Sequence, residues 1–142
     1  MKKICICFCG VFVLLILTSA CKSIPICDEQ HDQLLTMLEG LTKKAQIALD
    51  EGYLNKGEKE ALEYIKNINQ RAYNWFSQND YQIRLTDVGG HAVVLICKDG
   101  VAIFEDTDCV VNGEPDKDHM NDGPVPCKFT MTEREVSVIC NY

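Results

Sequence analysis

The side chains of this sequence that could do chemistry are concentrated in an acidic stretch late in the chain. Asp116, Asp118 and Asp122 begin with the spacing of a calcium-binding loop, in which carboxylates at alternate positions bind the ion. A loop that starts at Asp116 has Cys127 at position twelve, and one that starts at Asp118 has Phe129 there. Neither supplies the bidentate glutamate that such a loop needs. The sequence therefore predicts that residues 110–126 form a solvated acidic loop without a metal, which we call the acidic loop. Its three aspartates are candidate partner-binding residues.

The histidines and serines do not form a recognisable catalytic pattern. The three histidines are His31, His91 and His119, and none of their spacings is the H-x-x-x-H of a zinc hydrolase. No serine lies in a G-x-S-x-G motif, and no glycine-rich phosphate-binding loop occurs in the sequence. We therefore predict no catalytic residues and no cofactor, although a triad assembled from distant positions stays open.

Cysteine is the other reactive residue type, and the chain has nine. Five of them follow position 21, namely Cys27, Cys97, Cys109, Cys127 and Cys140. None of the five forms a C-x-x-C pair, which argues against a thiol–disulfide exchange enzyme and against a ribbon-type zinc site. In an exported protein, disulfides are the expected state of such cysteines. Because five is an odd number, one thiol is left over.

Cys21 follows a segment with the layout of a secretory signal. Two lysines precede an apolar run over residues 4–17, and Thr18, Ser19 and Ala20 come directly before Cys21. The run is shorter than the roughly 20 residues that a membrane-spanning helix needs. A cysteine that follows small residues at the end of such a leader resembles the lipobox of bacterial lipoproteins. The likeness covers residues 1–21 alone.

The resemblance implies an address and a modification. Residues 1–20 would be removed as a signal peptide, and Cys21 would carry a diacylglycerol and usually a third acyl chain such as palmitate. More than one chain makes a membrane anchor stable. Residues 21–27 would be the lipidated cysteine and a short tether. Lys22, where the family uses Asp to retain proteins at the inner membrane, favours the outer membrane facing the periplasm. An ordinary secreted protein and an uncleaved anchor are the alternatives.

Composition limits the partners of the mature chain. Removal of residues 1–20 from the 142-residue chain leaves 122 residues, and we expect 28–142 to form a single domain. The whole chain has a net charge of −7, and loss of two lysines with the leader makes it −9. Such a surface repels nucleic acid and anionic lipid, and it suits either a basic protein partner or plain solubility.

The elements that must position these residues are helical first and extended afterwards. One apolar stripe with helical spacing consists of Leu34, Leu38, Leu41, Ala45 and Ala48, and a second of Ala61, Ile65, Ile68, Ala72 and Trp75. Gly52 has the place of a helix C-cap, and the short link predicts antiparallel helices. Strands are predicted at 81–86, 91–97, 101–104, 127–131 and 136–140. The pattern predicts an α+β fold in which an antiparallel helical hairpin packs on a meandering antiparallel β-sheet, stapled by disulfides.

This strand order constrains the disulfides. Alternating strand directions put Cys97 at one end of the sheet, with Cys27 nearby, and put Cys109, Cys127 and Cys140 at the other end. A disulfide needs Cα atoms within about 7 Å. We therefore predict a Cys27–Cys97 bond, a Cys109–Cys127 bond and an unpaired thiol at Cys140. A cross-strand Cys127–Cys140 bond is the alternative to the second pair.

The anchor, the small stapled domain and the lack of a recognisable catalytic pattern together predict a membrane-anchored bacterial lipoprotein that acts as a non-catalytic protein-interaction module in the cell envelope. The alternative is a periplasmic inhibitor or immunity protein against a basic enzyme, such as a lysozyme or a rival's effector, with the acidic loop in a cationic cleft. An enzyme with an unrecognised site is the third possibility.

Overall fold

Four helices and four strands build the part of the chain that the computed structural model describes, residues 28–109 and 113–141. The helices are α1 (Asp28–Asp50), α2 (Glu58–Ile68), α3 (Gln70–Gln78) and α4 (Glu133–Cys140). The strands are β1 (Gln82–Val88), β2 (His91–Lys98), β3 (Val101–Asp106) and β4 (Lys117–Asp118). They form one antiparallel sheet in the order β1-β2-β3-β4. The predicted α+β class, with helices packed on an antiparallel sheet and two disulfides, is confirmed.

Helix α1 forms as its apolar stripe predicts. The five stripe residues of α1 are all buried, and they pack against the face of β2 that carries Val94 and Ile96. The helix ends at Asp50, and Gly52, two residues later, has a left-handed φ of 78°. There the Gly52 N–H donates to the Leu49 carbonyl and the Tyr53 N–H donates to the Ala48 carbonyl, both of which α1 leaves unpaired. Within the described residues, no helix is both long and apolar enough to cross a membrane.

The second predicted helix is broken in two at Asn69. The backbone there leaves the helical region, with φ −141° and ψ 56°, and the Asn69 side-chain oxygen accepts a hydrogen bond from the Ala72 N–H. The Asn69 amide group also donates to the Gly40 carbonyl at 3.0 Å. Asparagine competes in this way with helical backbone hydrogen bonds. The break therefore starts α3 with an N-cap and joins it to α1.

The sheet is covered on both faces, whereas the sequence led us to expect helices on one. Side chains of β2 alternate between the helical layer, which takes Val94 and Ile96, and the opposite face, which takes Val93 and Leu95. The residues that cover the opposite face come from α4 and the segment before it, and they include Val125, Phe129, Met131, Val136 and Ile139. Burial on both faces explains why β2 is apolar along nearly its whole length.

The last two predicted strands are wrong. Residues 127–131 pair with no neighbouring strand among the described residues, and the chain from Glu133 to Cys140 is helical. The Thr132 side chain accepts from the Glu135 N–H, and the Glu135 carboxylate accepts from the Thr132 N–H. This capping box starts the helix. Val136 is buried and Val138 is 54% exposed, as expected because side chains two positions apart on a helix point to different sides.

The predicted disulfide pairs are wrong as well. Cys97 is bonded to Cys127, with Cα atoms 5.7 Å apart, and Cys109 is bonded to Cys140, with Cα atoms 4.8 Å apart. Cys140 is therefore not an unpaired thiol, and the Cys109–Cys127 and Cys127–Cys140 bonds do not form. Cys27, the partner predicted for Cys97, lies outside the described residues.

The error has a topological cause. After β3 the chain does not stay at the far end of the sheet but runs back along the edge of β3. The His119 N–H donates to the Ile103 carbonyl, the Ala102 N–H to the Val125 carbonyl, and the Cys127 N–H to the Gly100 carbonyl. This return carries Cys127 to the β2–β3 turn, where Cys97 ends β2. Helix α4 then brings Cys140 back to Cys109.

Candidate functional site: the acidic loop and its buried base

The three aspartates predicted to bind a partner do not act as one group. Asp118 and Asp122 are exposed, and the side chain of Asp122 is 68% accessible. Asp116 instead points inward, where one of its carboxylate oxygens accepts hydrogen bonds from the Thr107 N–H at 2.8 Å and the Thr107 hydroxyl at 2.7 Å. Asp116 is therefore an anchor of the loop, and Asp118 and Asp122 are the two carboxylates that it presents to solvent.

Asp106 lies beneath this anchor and is almost fully buried. Its carboxylate accepts a hydrogen bond from the Asp116 N–H at 3.1 Å. Burial, supported by repulsion from the Asp116 carboxylate, raises the pKa of Asp106 to about 8. At neutral pH the Asp106 carboxyl is mostly protonated, so two acidic side chains share the base of the loop without two full charges.

A second buried pair holds the middle of the loop. Glu105 is fully buried, and its two carboxylate oxygens accept hydrogen bonds from the Thr130 N–H and the Thr130 hydroxyl, both at 2.5 Å. His119 Nε2 lies 3.4 Å from the Glu105 carboxylate, and its Nδ1 lies 3.9 Å from that of Asp122. The loop backbone joins the network, because the Asp122 N–H donates to the His119 carbonyl. Glu105 thus connects three parts of the chain, which are strand β3, the acidic loop and the segment that leads to α4.

The carboxylate–imidazole–carboxylate series has the residue types of an acid–base relay, but its geometry favours a structural role. A nucleophile in such a relay has its hydroxyl hydrogen-bonded to the imidazole. Here the Thr130 hydroxyl donates to Glu105 and accepts from Lys117 Nζ at 3.2 Å. Since Glu105 is enclosed and its oxygens are occupied, the series can fix the loop but offers no open site for a substrate.

Lys117 extends the network to α4. Its ammonium group lies 3.0 Å from the Glu135 carboxylate, which also closes the capping box with Thr132. The hydrogen bond from the Thr132 N–H, followed by the interaction with Lys117, lowers the pKa of Glu135 to about 2. The edge strand β4 and the start of α4 therefore hold each other in place.

A separate cluster forms where β2 begins, β3 ends and α4 ends. His91 Nδ1 lies 3.5 Å from Cys109 Sγ, and the ligand atoms of His91, Cys109 and Cys140 all lie within 4.8 Å of one another. These are the ligand types of a zinc site, but the disulfide occupies both sulfurs and leaves no thiolate to bind an ion. Nothing in the sequence indicates this cluster, because its members are far apart in the chain.

An open groove runs along the other side of the molecule between α2, α3 and β1. It has a volume of about 430 Å³ and is lined by Glu58, Lys59, Leu62, Glu63, Lys66, Tyr73, Gln82, Ile83 and Arg84. A 2.8 Å ion pair between Glu58 and Arg84 lies in it, and Lys66 Nζ is 5.7 Å from the centre of the Tyr73 ring. Charged side chains of both signs line the groove, so it does not select a ligand of one charge.

Comparison with known proteins assigns no function to these sites. Cys21, the predicted lipidation site, and the whole leader lie outside the described residues. The described residues contain an ordered acidic loop, a buried acid–histidine network below it, and a histidine beside a disulfide. No protein-family model, no curated protein and no solved structure matches this chain.

Proposed function

We propose that this chain is a lipid-anchored protein of a bacterial cell envelope that acts by binding another protein and not by catalysis. The leader that ends at Cys21 supports the anchor. Two disulfides within the described residues fit an oxidising compartment outside the cytoplasm. Glu105 and His119 are both buried, and both Glu105 oxygens accept hydrogen bonds, which favours a structural use of those residues.

The acidic loop is the observation that carries the binding function. Its base is fixed by Asp116 and its middle by His119, and the loop ends at a disulfide-bonded cysteine. A loop that is ordered before binding loses little conformational entropy when a partner binds. Asp118 and Asp122 are therefore held as preorganised negative charges, which favour a partner with a positively charged surface and accelerate the encounter.

An inhibitor or immunity protein is the second candidate, and the same loop favours it. A rigid loop with carboxylates at its exposed positions can enter the cationic cleft of a basic enzyme such as a lysozyme or a rival's effector. The two candidates differ in consequence, since an inhibitor must block turnover of its partner and an interaction module need not. The mature charge of −9 supports either role.

Loss of the exposed carboxylates is expected to weaken partner binding. The full mature chain would be used to capture proteins from an envelope extract and would be assayed against a panel of basic lysozymes. The double substitution Asp118→Asn and Asp122→Asn should weaken binding of the captured partner by about tenfold or more at low salt, because each removes a charge from the contact. Affinity of the unaltered protein should fall as ionic strength rises.

The matched control removes two exposed acids elsewhere, with Asp32→Asn and Glu60→Gln. This control has the same net charge as the loop variant, so a general charge effect would weaken both equally. Equal weakening, or none in either variant, would contradict the role of the loop. Inhibition of a lysozyme that disappears in the loop variant would select the inhibitor, and capture of a protein whose activity is unchanged would select the interaction module.

The anchor is tested at Cys21. Mass spectrometry of the mature N-terminus should find an acylated Cys21, and Cys21→Ser should move the protein from the membrane fraction to the soluble fraction because the acyl chains are absent. The control is Cys27→Ser, which should stay with the membrane. An intact leader on a cytosolic product with free thiols would overturn the proposal.

A further inference from the structure

The two disulfides of the described chain have contrasting surroundings. Cys97 is fully buried in an apolar cluster with Leu95 and Ala102, but Cys127, to which it is bonded, is half-buried, and its sulfur lies 4.0 Å from the Gln82 side-chain oxygen. Cys109 and Cys140 are both only half-buried, and their bond lies where β3 and α4 end. An imidazole nitrogen lies 3.5 Å from Cys109 Sγ. The second bond therefore has both sulfurs in half-buried residues and an ionisable group beside one of them, whereas the first has one fully buried sulfur and a neutral amide beside the other.

We propose that the Cys109–Cys140 disulfide is a site of thiol–disulfide exchange, at which an external thiol attacks Cys140 and His91 assists the departure of Cys109. The attacking thiolate forms a mixed disulfide with Cys140 Sγ, and the bond between the two protein sulfurs breaks. The Cys109 thiolate takes a proton from the Nδ1 of the His91 imidazolium, and the proton released when the attacking thiol ionises restores the imidazolium. No other oxidant or reductant is needed.

The chemistry of exchange gives His91 this role. Attack on a disulfide is faster when the departing sulfur is stabilised as a thiolate or is protonated as it leaves. A positively charged imidazole beside a sulfur is an established means of stabilising a thiolate. Because His91 opens β2 and pairs with Val88 across the β1–β2 turn, its backbone is held by the sheet, and its ring contacts Cys109 Sγ. The geometry thus marks Cys109 as the leaving sulfur.

The neighbouring acid determines which sulfur is attacked. A carboxylate oxygen of Asp108 lies 3.9 Å from Cys109 Sγ. Its negative charge repels an incoming thiolate from that side. Cys140 is in the last turn of α4 and is half-buried, so we place the attack of the external thiol at this sulfur. The expected product is a mixed disulfide on Cys140 and a free thiol on Cys109.

Exchange at this bond would alter the cover of the sheet. The Cys109–Cys140 bond ties the end of α4 to the sheet, and Val136 and Ile139 of this helix pack over Val93. After exchange, the capping box and the Lys117–Glu135 pair still hold the start of α4, but its end is no longer bonded. A thiol adduct would therefore loosen the apolar surface that α4 covers.

The test uses the oxidised mature chain and two probes, reduced glutathione and a dithiol protein of the thioredoxin type. After timed acid quenching, free thiols are alkylated and the peptides are mapped by mass spectrometry. We expect glutathione on Cys140, alkylated Cys109 and an intact Cys97–Cys127 bond, at a rate proportional to the thiol concentration. A faster reaction per thiolate with glutathione would identify a small thiol as the natural reactant, and a faster reaction with the dithiol protein would identify a protein thiol.

The histidine is tested by His91→Gln, which should slow the exchange roughly fivefold because the leaving sulfur loses its proton donor. His31→Gln is the matched control, since that imidazole packs against the Phe104 ring, and its rate should be unchanged. Reduction of Cys97–Cys127 in the same sample reports general destabilisation, which would accelerate both bonds.

Three results would overturn the proposal. The first is reduction of both disulfides at one rate that does not depend on thiol concentration, since the bonds would then open only through global unfolding. The second is an adduct that forms first on Cys109, Cys97 or Cys127. The third is a His91→Gln variant that exchanges as fast as the unaltered protein.

Discussion

Replacement of Glu105 by alanine is expected to lower the free energy of unfolding by about 3–5 kcal/mol, the usual cost of removing one partner from a buried polar pair. The substitution would leave the Thr130 N–H and the His119 imidazole without their buried acceptor, and it would create a cavity beside β3. Urea unfolding can be followed by the fluorescence of Trp75, the single tryptophan, which stacks on Tyr81.

Two controls separate loss of the network from loss of a charge. Glu105→Gln keeps an oxygen that can accept from the Thr130 N–H and an amide that can donate to the Thr130 hydroxyl, so it should cost about 1 kcal/mol. Glu60→Ala removes an exposed acid and should change the stability by less than about 0.5 kcal/mol. If Glu105→Ala were as mild as Glu60→Ala, the network could not be what holds the loop.

Stability is expected to decrease by about 3.5 kcal/mol between pH 5 and pH 8 because of Asp106 alone, at about 1.4 kcal/mol for each pH unit of differential titration. Its pKa is about 8 in the folded protein, whereas an exposed aspartate has an ordinary pKa of 3.8, so the folded state retains a proton that the unfolded state releases. The stabilising contribution is fully present below pH 4 and is lost as the pH rises towards 8. Urea unfolding at several pH values measures it.

Asp106→Asn removes this titration and should make the stability nearly independent of pH over that range. The amide can still accept from the Asp116 N–H, so the loop should remain folded. Glu135 acts in the opposite direction, because its lowered pKa gives stability that is present above pH 4.5 and is lost as the pH falls towards 2. A variant with the same decline between pH 5 and pH 8 as the unaltered protein would contradict the assignment to Asp106.

The helical layer could be predicted because its information is local. The stripes of α1 and α2 repeat with helical spacing, and the glycine at position 52 marks the end of α1. The break at Asn69 escaped prediction, since its amide bonds to Gly40 of another helix. A local pattern cannot contain such a contact.

Residues 127–140 could not be predicted in the same way, because their apolar residues fit both the two-residue period of a strand and the period of a helix. Val136, Val138 and Cys140 alternate as on a strand, but Val136, Ile139 and Cys140 also share one side of a helix. Thr132 and Glu135 supplied the deciding signal, a capping box that the strand prediction passed over. The disulfide pairs depended on this choice and on the direction of the chain after β3, so they failed with it.

The exposed residues of the candidate site could be predicted from the sequence, but its buried residues could not. Asp118 and Asp122 are exposed, as a solvated acidic loop predicts. Glu105 and Asp106 belong to the same acidic stretch in the sequence but are buried, because β3 is an inner strand whose side chains face both covered layers. His91 meets Cys109 and Cys140 only through the tertiary fold.

The order of the bonded cysteines has a consequence for cleavage by proteases. The bonds interleave along the chain, because Cys109 lies between Cys97 and Cys127 while Cys127 lies between Cys109 and Cys140. A single cut at any peptide bond from Cys97 to Cys140 therefore leaves both fragments covalently joined. A cut between Cys109 and Cys127, the segment that contains the acidic loop, leaves them joined twice. A nicked molecule would therefore stay in one covalent piece until its disulfides were reduced.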